Sequence, residues 1–341
     1  MSTHYGFPEP GGALGLVGDI GGTNARFAVT DLGSWPLRII SPRTFPCARF
    51  ESAEAAIDGY LHQLGRQRPR SAVIAVAGAV SGGEMSFTNG AWSLSEQTLI
   101  SQGFSTARLI NDFAAVALGA AAVSAEEWQT IGPELPPAKG KTIAVMGAGT
   151  GFGVAALVRD GERSLVMTTE GGHASFAPSD AVEMEILKIL QRRFGRVSIE
   201  RVLSGPGLRN LYSALAEYHG APAEAPSPEE IARQAECGED HYSVETLDRF
   251  CAIFGSVAGD FALGYGALGG VYLAGGIAPN ILNHLAKSQF RKRFEQKGRF
   301  RAYMSKIPTG VILQPHAALL GAAEQLRRLS EARSAQSLAA G

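Results

Sequence analysis

The sequence predicts an α/β protein of two domains. Three observations carry this: the length, an alternation of short apolar runs with helical patterns, and a phrase near the start that recurs near the middle. The chain has 341 residues, about two domains at roughly 150 residues each. Hydrophobic residues make up 45% and charged residues 18%, so a sizeable core can be buried and most of the chain should be ordered. Lys plus Arg number 31 against 32 Asp plus Glu, for a net charge of −1. Such a balance argues against gripping nucleic-acid phosphates or an anionic membrane as the main task. Cys47, Cys237 and Cys251 are too few and scattered for a disulfide framework or a zinc site, which points to a reduced, cytoplasmic setting.

Along the chain, residues 1–13 read as a flexible tail without the basic-then-apolar pattern of a secretory signal. Residues 331–341 read as a second tail. Apolar runs at 14–18, 25–30, 71–77 and 107–110 read as strands, and the alanine-rich stretch 113–123 as a helix. Residues 132–141 (GPELPPAKGK) read as a connector between the halves. The second half is mostly helical. Val182, Ile186, Leu190 and Phe194 recur every four residues, with Gly195 as the stop. Ser204-Gly205-Pro206 opens a helix, and Ser227-Pro228-Glu229-Glu230 is a capping pattern with Pro at the first helical position. Residues 252–278 hold no Lys, Arg or Glu, yet they include Asp260 and break at Gly269-Gly270. They read as a buried helix and a buried strand, not a membrane span. Residues 310–313 read as a last strand and 319–329 as a last helix.

The recurring phrase is GLVGDIGGTNARFAV at 15–29 and IAVMGAGTGFGVAAL at 143–157. Each is an apolar strand, a glycine turn carrying a threonine, and a second apolar strand. Two such copies suggest related sheets that close on one ligand. Familiar nucleotide signatures fail here. Gly140-Lys141-Thr142 imitates the end of a P-loop, but the required earlier glycine is Leu135 and the motif precedes a strand. Gly147-Ala148-Gly149 imitates a dinucleotide fingerprint, but its third glycine position is Phe152.

What remains is chemistry of another kind. In Asp19-Ile20-Gly21-Gly22-Thr23-Asn24 the two glycines let the backbone present N–H groups to an anion, and Asp19 can hold a water of a hydrated Mg²⁺. A plain hairpin with a turn Asp is the bland alternative. Thr150, within the second glycine turn, supports the phosphate reading. Asn111-Asp112 lies where a strand meets a helix, the place where active groups gather in α/β folds. Asp112 can orient a hydroxyl and accept its proton late in a phosphoryl transfer, or it can simply cap the helix. Glu170, His173 and Glu200 supply acceptors and donors suited to a polyol, although each alone also fits a structural role. Gly275-Gly276, after an apolar strand, offers bare backbone to a flat adenine or ribose, or merely a packed turn.

GDIGGTNARFAV, LINDFAAVALGA, GAGTGFGV, EGGHASFAP, ERVLSGPGLRNLY and YLAGGIAPNIL, in this order and spacing, resemble the bacterial glucokinase family. The match is to its enterobacterial-type, non-zinc branch within the hexokinase, heat-shock ATPase and actin superfamily, and it covers about 14–329. The resemblance implies a two-domain actin-like ATPase (ribonuclease H-like) α/β fold with a central inter-domain cleft. It places a small domain at 14–122 plus 311–330 and a large domain at 123–310. It implies transfer of a phosphoryl group from ATP, with Mg²⁺, to the 6-hydroxyl of D-glucose, and Asp112 as general base. By position, Asn111, Asp112, Glu170, His173 and Glu200 match the sugar-contacting set. Gly18, Asp19, Ile20, Gly21, Gly22, Thr23, Gly149, Thr150, Gly275 and Gly276 match the ATP-contacting set, with Asp19 also toward the metal. The choice of glucose among hexoses comes from the resemblance and not from residue types. A homodimer is implied too, with neither nucleic acid nor membrane as partner. Two departures stand out: the longer N-terminal tail, and Thr169 before Glu170 where the pattern has Gly. Neither touches the chemistry on this reading.

Overall fold

Runs that are apolar on both faces should lie inside a sheet covered on both sides; 71–76 lies between two parallel neighbours, and 143–148 between one parallel and one antiparallel neighbour. A computed structural model describes residues 14–65, 68–78, 80–86, 92–136, 138–160, 163–221 and 224–340; the tail expected at 1–13 lies outside them. The chain divides into two compact units. One ends at Val123 and resumes at Gln314, and the other is Ser124–Leu313.

The first unit contains β1 (Leu14–Ile20), β2 (Asn24–Asp31), β3 (Ile40–Pro46), α1 (Ala53–Leu64), β4 (Ser71–Val76), β5 (Glu84–Ser86), β6 (Ser93–Ser95), α2 (Glu96–Ser101), β7 (Thr106–Asn111) and α3 (Asp112–Ala120). Its main sheet has the order β3-β2-β1-β4-β7. β1 to β3 form an antiparallel meander, and β1, β4 and β7 run parallel. One face packs Leu16, Phe27 and Ile74 against Ile57 and Tyr60 of α1. The other packs Val17, Ala28 and Val73 against Leu319, Ala323 and Leu326, which belong to the last helix of the chain.

The second unit contains β8 (Trp128–Thr130), β9 (Ile143–Ala148), β10 (Phe152–Asp160), β11 (Arg163–Thr169), α4 (Ala181–Phe194), α5 (Gly205–Tyr218), α6 (Pro228–Cys237), α7 (His241–Tyr265), β12 (Gly270–Ala274), α8 (Ile277–Asn280), α9 (Leu282–Lys287), α10 (Phe290–Glu295), α11 (Arg301–Met304) and β13 (Thr309–Ile312). Its sheet has the order β11-β10-β9-β12-β13-β8. Again a meander, β9 to β11, adjoins two parallel strands, β12 and β13. The phrase repeated in the sequence is thus one corner of a repeated sheet, extended here by β8. Caps form where the sequence places them: Ser204 accepts from the Gly207 N–H, Ser227 from the Glu230 N–H, and Gly195 ends α4. Ile186, Leu208, Leu211, Phe250 and Phe254 fill the core beside Ala144 and Met146. The stretch 252–278, which lacks Lys, Arg and Glu, holds the end of α7 and all of β12, and no described helix is long and apolar enough to cross a membrane.

Three boundary expectations need correction. The last strand, expected to return to the first unit, stays in the second: β13 pairs with β12 on one side and β8 on the other. Only the helix after it, α12 (Ala317–Ala340), belongs to the first unit. The proline-rich connector is not the boundary, because β8 precedes it and is already anchored, with Trp128 packed on Tyr272 at 4.4 Å between ring centroids. The tail expected at 331–341 is helical as far as Ala340, since residues up to that point include neither Gly nor Pro after Gly321. α12 lies against α3 at a crossing where a methyl group on Gly321 would overlap the Ala115 carbonyl oxygen.

Candidate active site

In the first unit, strand register gathers the expected residues at one end of the sheet. Ile20 pairs with Val76, and Val76 with Asn111. The Gly21-Gly22 turn after β1 and the Asn111-Asp112 corner after β7 therefore lie two strands apart, about 10 Å at ordinary strand spacing. The turn is closed by the Gly21 N–H donating to Asn24 O at 3.0 Å, and Cys47 N donates to Thr23 O at 2.9 Å. Gly22 and Thr23 are exposed at its tip. Asp19 faces Arg26 across the hairpin, with Arg26 Nη1 donating to Oδ2 at 2.9 Å. Burial pushes the Asp19 carboxyl above its ordinary range, and the guanidinium draws it part of the way back. Gly18 and Ile20 are buried in the sheet. They shape β1 and offer no side chain to the turn.

The corner after β7 settles what caps α3. Asn111 is the N-cap: its Oδ1 accepts from the Ala114 N–H at 3.1 Å, and its Nδ2 donates to Gly78 O at 3.0 Å. That leaves Asn111 one further amide N–H. Asp112 is the first helical residue, with Oδ1 accepting from the Phe113 N–H at 2.8 Å. The bland reading of Asp112 as the cap is therefore wrong. Its carboxylate lies in the first helical turn, where the aligned peptide dipoles favour negative charge.

In the second unit the same logic operates with more ties. Ala148 pairs with Phe152, Ala274 with Gly147, and Thr169 with Val154. The turn 149–151, Gly275-Gly276 and Glu170 therefore share one end of this sheet. Gly149 N donates to Gly151 O at 2.9 Å, and Gly205 N, opening α5, donates to Gly149 O at 2.8 Å. Thr150, Gly275 and Gly276 are exposed. Gly275 sits at φ +80°, where a Cβ would come within 2.5 Å of the Ala148 carbonyl oxygen, so only glycine fits between the two strand ends.

Glu200 and the Glu170–His173 turn both meet the backbone of Phe152. Phe152 N donates to Glu200 Oε2 at 2.9 Å. The Phe152 carbonyl oxygen is pressed onto Gly172, where any side chain would overlap it. Glu170 and His173 are exposed, with 4.0 Å between Oε2 and Nε2. A 3-10 turn at Gly171–His173 joins them, held by His173 N donating to Glu170 O at 3.0 Å. Glu200 Oε1 carries no hydrogen bond to another described residue, which leaves an acceptor for a ligand hydroxyl. No group of three or more His, Cys, Asp and Glu among the described residues is arranged to hold a metal ion.

Sequence reasoning missed Phe152, Gly78 and Arg26. Phe152 acts through its backbone, so its residue type carries no signal. Gly78 follows an apolar run and could have been flagged as a strand-end turn. Arg26 is seven residues from Asp19, opposite it once the hairpin is drawn.

A family profile described as Glucokinase matches residues 16–329. The chain belongs to the glucokinase family. A glucokinase of Caulobacter sp. (strain K31) is 49% identical over 311 residues, covering 91% of this chain and 94% of that one. A glucokinase of Xanthomonas euvesicatoria pv. vesicatoria (strain 85-10) is 45% identical over 314 residues, covering 90% and 93%. Among solved structures, a glucokinase from an Antarctic psychrotroph aligns with a TM-score of 0.84 at 38% identity, covering 93% of this chain and 99% of that one. A ROK-family glucokinase from Streptomyces griseus, solved with glucose and AMPPNP, aligns with a TM-score of 0.64 at 19% identity, covering 92% and 99%. The fold is that of the two-domain actin-like ATPases, as the motif resemblance implied. Glucokinase-family membership makes the chain an enzyme and implies ATP-dependent phosphorylation of glucose.

Proposed function

We propose that this enzyme moves the γ-phosphoryl group of MgATP to the 6-hydroxyl of D-glucose with Asp112 as general base. The observation that carries the reading is that each sheet presents, at a single end, a glycine hairpin together with carboxylate-bearing corners. In the first unit these are Gly21-Gly22 and Asn111-Asp112. In the second they are the turn 149–151, Gly275-Gly276, Glu170 and Glu200.

The division of labour follows from the groups. The backbone N–H groups of Gly22, Thr23 and Thr150 and the hydroxyls of Thr23 and Thr150 bind phosphate oxygens without a lysine, while Gly21 and Gly149, whose N–H groups close their turns, leave room for the oxygens to approach. Gly275 and Gly276 give the adenosine a surface without side chains. Asp19 fits Mg²⁺ through a water: it is a single carboxylate at a strand end, and Mg²⁺ keeps most of its hydration beside phosphates. When bound, the ion would neutralise charge on the phosphates. Asn111, Glu170, His173 and Glu200 bind sugar hydroxyls, with carboxylate oxygens accepting and the remaining Asn111 N–H donating. Asp112 orients the reacting hydroxyl and takes its proton as the bond to phosphorus forms. Little covalent work falls to the protein, so positioning and charge dominate. The cytoplasmic setting and homodimer stay part of this reading, supported by the three free cysteines and by the resemblance.

Asp112→Asn tests the reading. It keeps the shape and removes the base. Turnover should fall by about 10²–10⁴, followed by coupled ADP detection, while glucose affinity by calorimetry stays within about tenfold. Normal turnover in Asp112→Asn would refute the base.

A further inference from the structure

We propose that the Thr169 hydroxyl is a positioning residue for the sugar-binding turn, and that it sets glucose affinity without touching the sugar. The proposal rests on the assignment of Glu170 and His173 to the sugar.

Thr169 is the last residue of β11, immediately before Glu170. Its Oγ1 donates to Val154 O at 2.8 Å, accepts from the Gly171 N–H at 3.1 Å and accepts from Tyr265 Oη at 3.4 Å. A hydroxyl has one donor and two acceptor lone pairs, so all three are used. The hub therefore ties β10, the turn and the last residue of α7 to one atom. The far end of the turn is held separately, by Arg196 Nη2 donating to His173 O at 2.5 Å.

This matters because Glu170 has little to orient it by itself. Its side chain is exposed, and among the described residues the ion-pair contact it makes is with His173 at 4.0 Å. The direction of the carboxylate is inherited from the backbone, and Thr169 fixes that backbone on both sides of Glu170. A residue without a hydroxyl at 169 could not do this.

The test compares Thr169→Val, Thr169→Ser and Tyr265→Phe with Glu170→Gln, measuring kcat and the KM values for glucose and MgATP. Thr169→Val keeps the branched shape and loses the hydroxyl. It should raise the glucose KM about tenfold, with kcat and the MgATP KM within about twofold. Thr169→Ser should restore the glucose KM. Tyr265→Phe, losing only the longest of the three bonds, should raise it about threefold. An unchanged glucose KM in Thr169→Val, or an equal rise in both KM values that Thr169→Ser does not reverse, overturns the proposal. If Thr169→Val does not fold, Tyr265→Phe decides, and an unchanged glucose KM there overturns it. Glu170→Gln separates the two levels. A raised glucose KM in Glu170→Gln beside an unchanged one in Thr169→Val refutes the hub alone. An unchanged glucose KM in Glu170→Gln refutes the sugar assignment as well.

Discussion

The two glycine hairpins share a strand order and differ in how they are fastened. The first, between β1 and β2, ends in a tip where a methyl group on Gly22 would meet nothing within 4 Å. Its ties include its own closing bond, a bond from Ala77 N to Ile20 O at its foot, and the contacts from Cys47, whose Sγ reaches Gly21 O at 3.5 Å. The second, between β9 and β10, is held on three sides. Glu200 accepts from Phe152 N, Gly205 donates to Gly149 O, and Gly147 and Gly275 are wedged between the ends of β9 and β12. The same local grammar thus yields a bare loop in one unit and a braced one in the other. Glycine serves access in the first and close packing in the second.

The comparison can be broken by substitution. Gly172→Ala should have the largest effect, because the added methyl group meets the Phe152 carbonyl and neither backbone can yield cheaply. A loss of about 3 kcal/mol or more is expected, read by urea denaturation. A variant as stable as the parent would show that the second hairpin is not braced through Phe152. Glu200→Ala comes next. It leaves the buried Phe152 N–H without its acceptor, at a cost of about 1–3 kcal/mol, and should raise the KM for both glucose and MgATP. Glu200→Gln keeps an acceptor for Phe152 N and should disturb the glucose KM alone. If Glu200→Gln and Glu200→Ala behave alike, the carboxylate does not brace the hairpin. Gly22→Ala should have the smallest effect on stability, within about 0.5 kcal/mol in a denaturant melt, because the site is open and its backbone is not left-handed. Its MgATP KM should nonetheless rise if phosphate oxygens approach that backbone. An unchanged MgATP KM would remove Gly22 from the phosphate site.

Much of the candidate site was legible because it is local. Asp19 with Gly21-Gly22, Asn111-Asp112, and Glu170 with His173 are each contiguous or nearly so, and strand-end glycines advertise themselves. Gly18 and Ile20 mark a limit of residue type: the phrase they share with Asp19 does not say that both are buried along β1. Asn111 and Asp112 show another limit. Residue type allowed either to cap α3, and only the backbone geometry gave the cap to Asn111. Thr169 read as a harmless departure, because its three partners lie 15, two and 96 residues away in sequence.

What the sequence determined by itself is the set of parts: which runs become strands, where helices start and stop, and which turns carry glycine. Those depend on side-chain period, caps and turn chemistry within a few residues, and they are written locally. The tertiary structure decided which sheet a strand joins and which distant groups share an atom. The composition of β13 does not say which sheet it joins, and its place is set by pairing with β12 on one side and β8 on the other. The bond between Glu200 and Phe152 spans 48 residues. Such pairings arise from register and packing over the whole domain, which the residues around any one position do not contain.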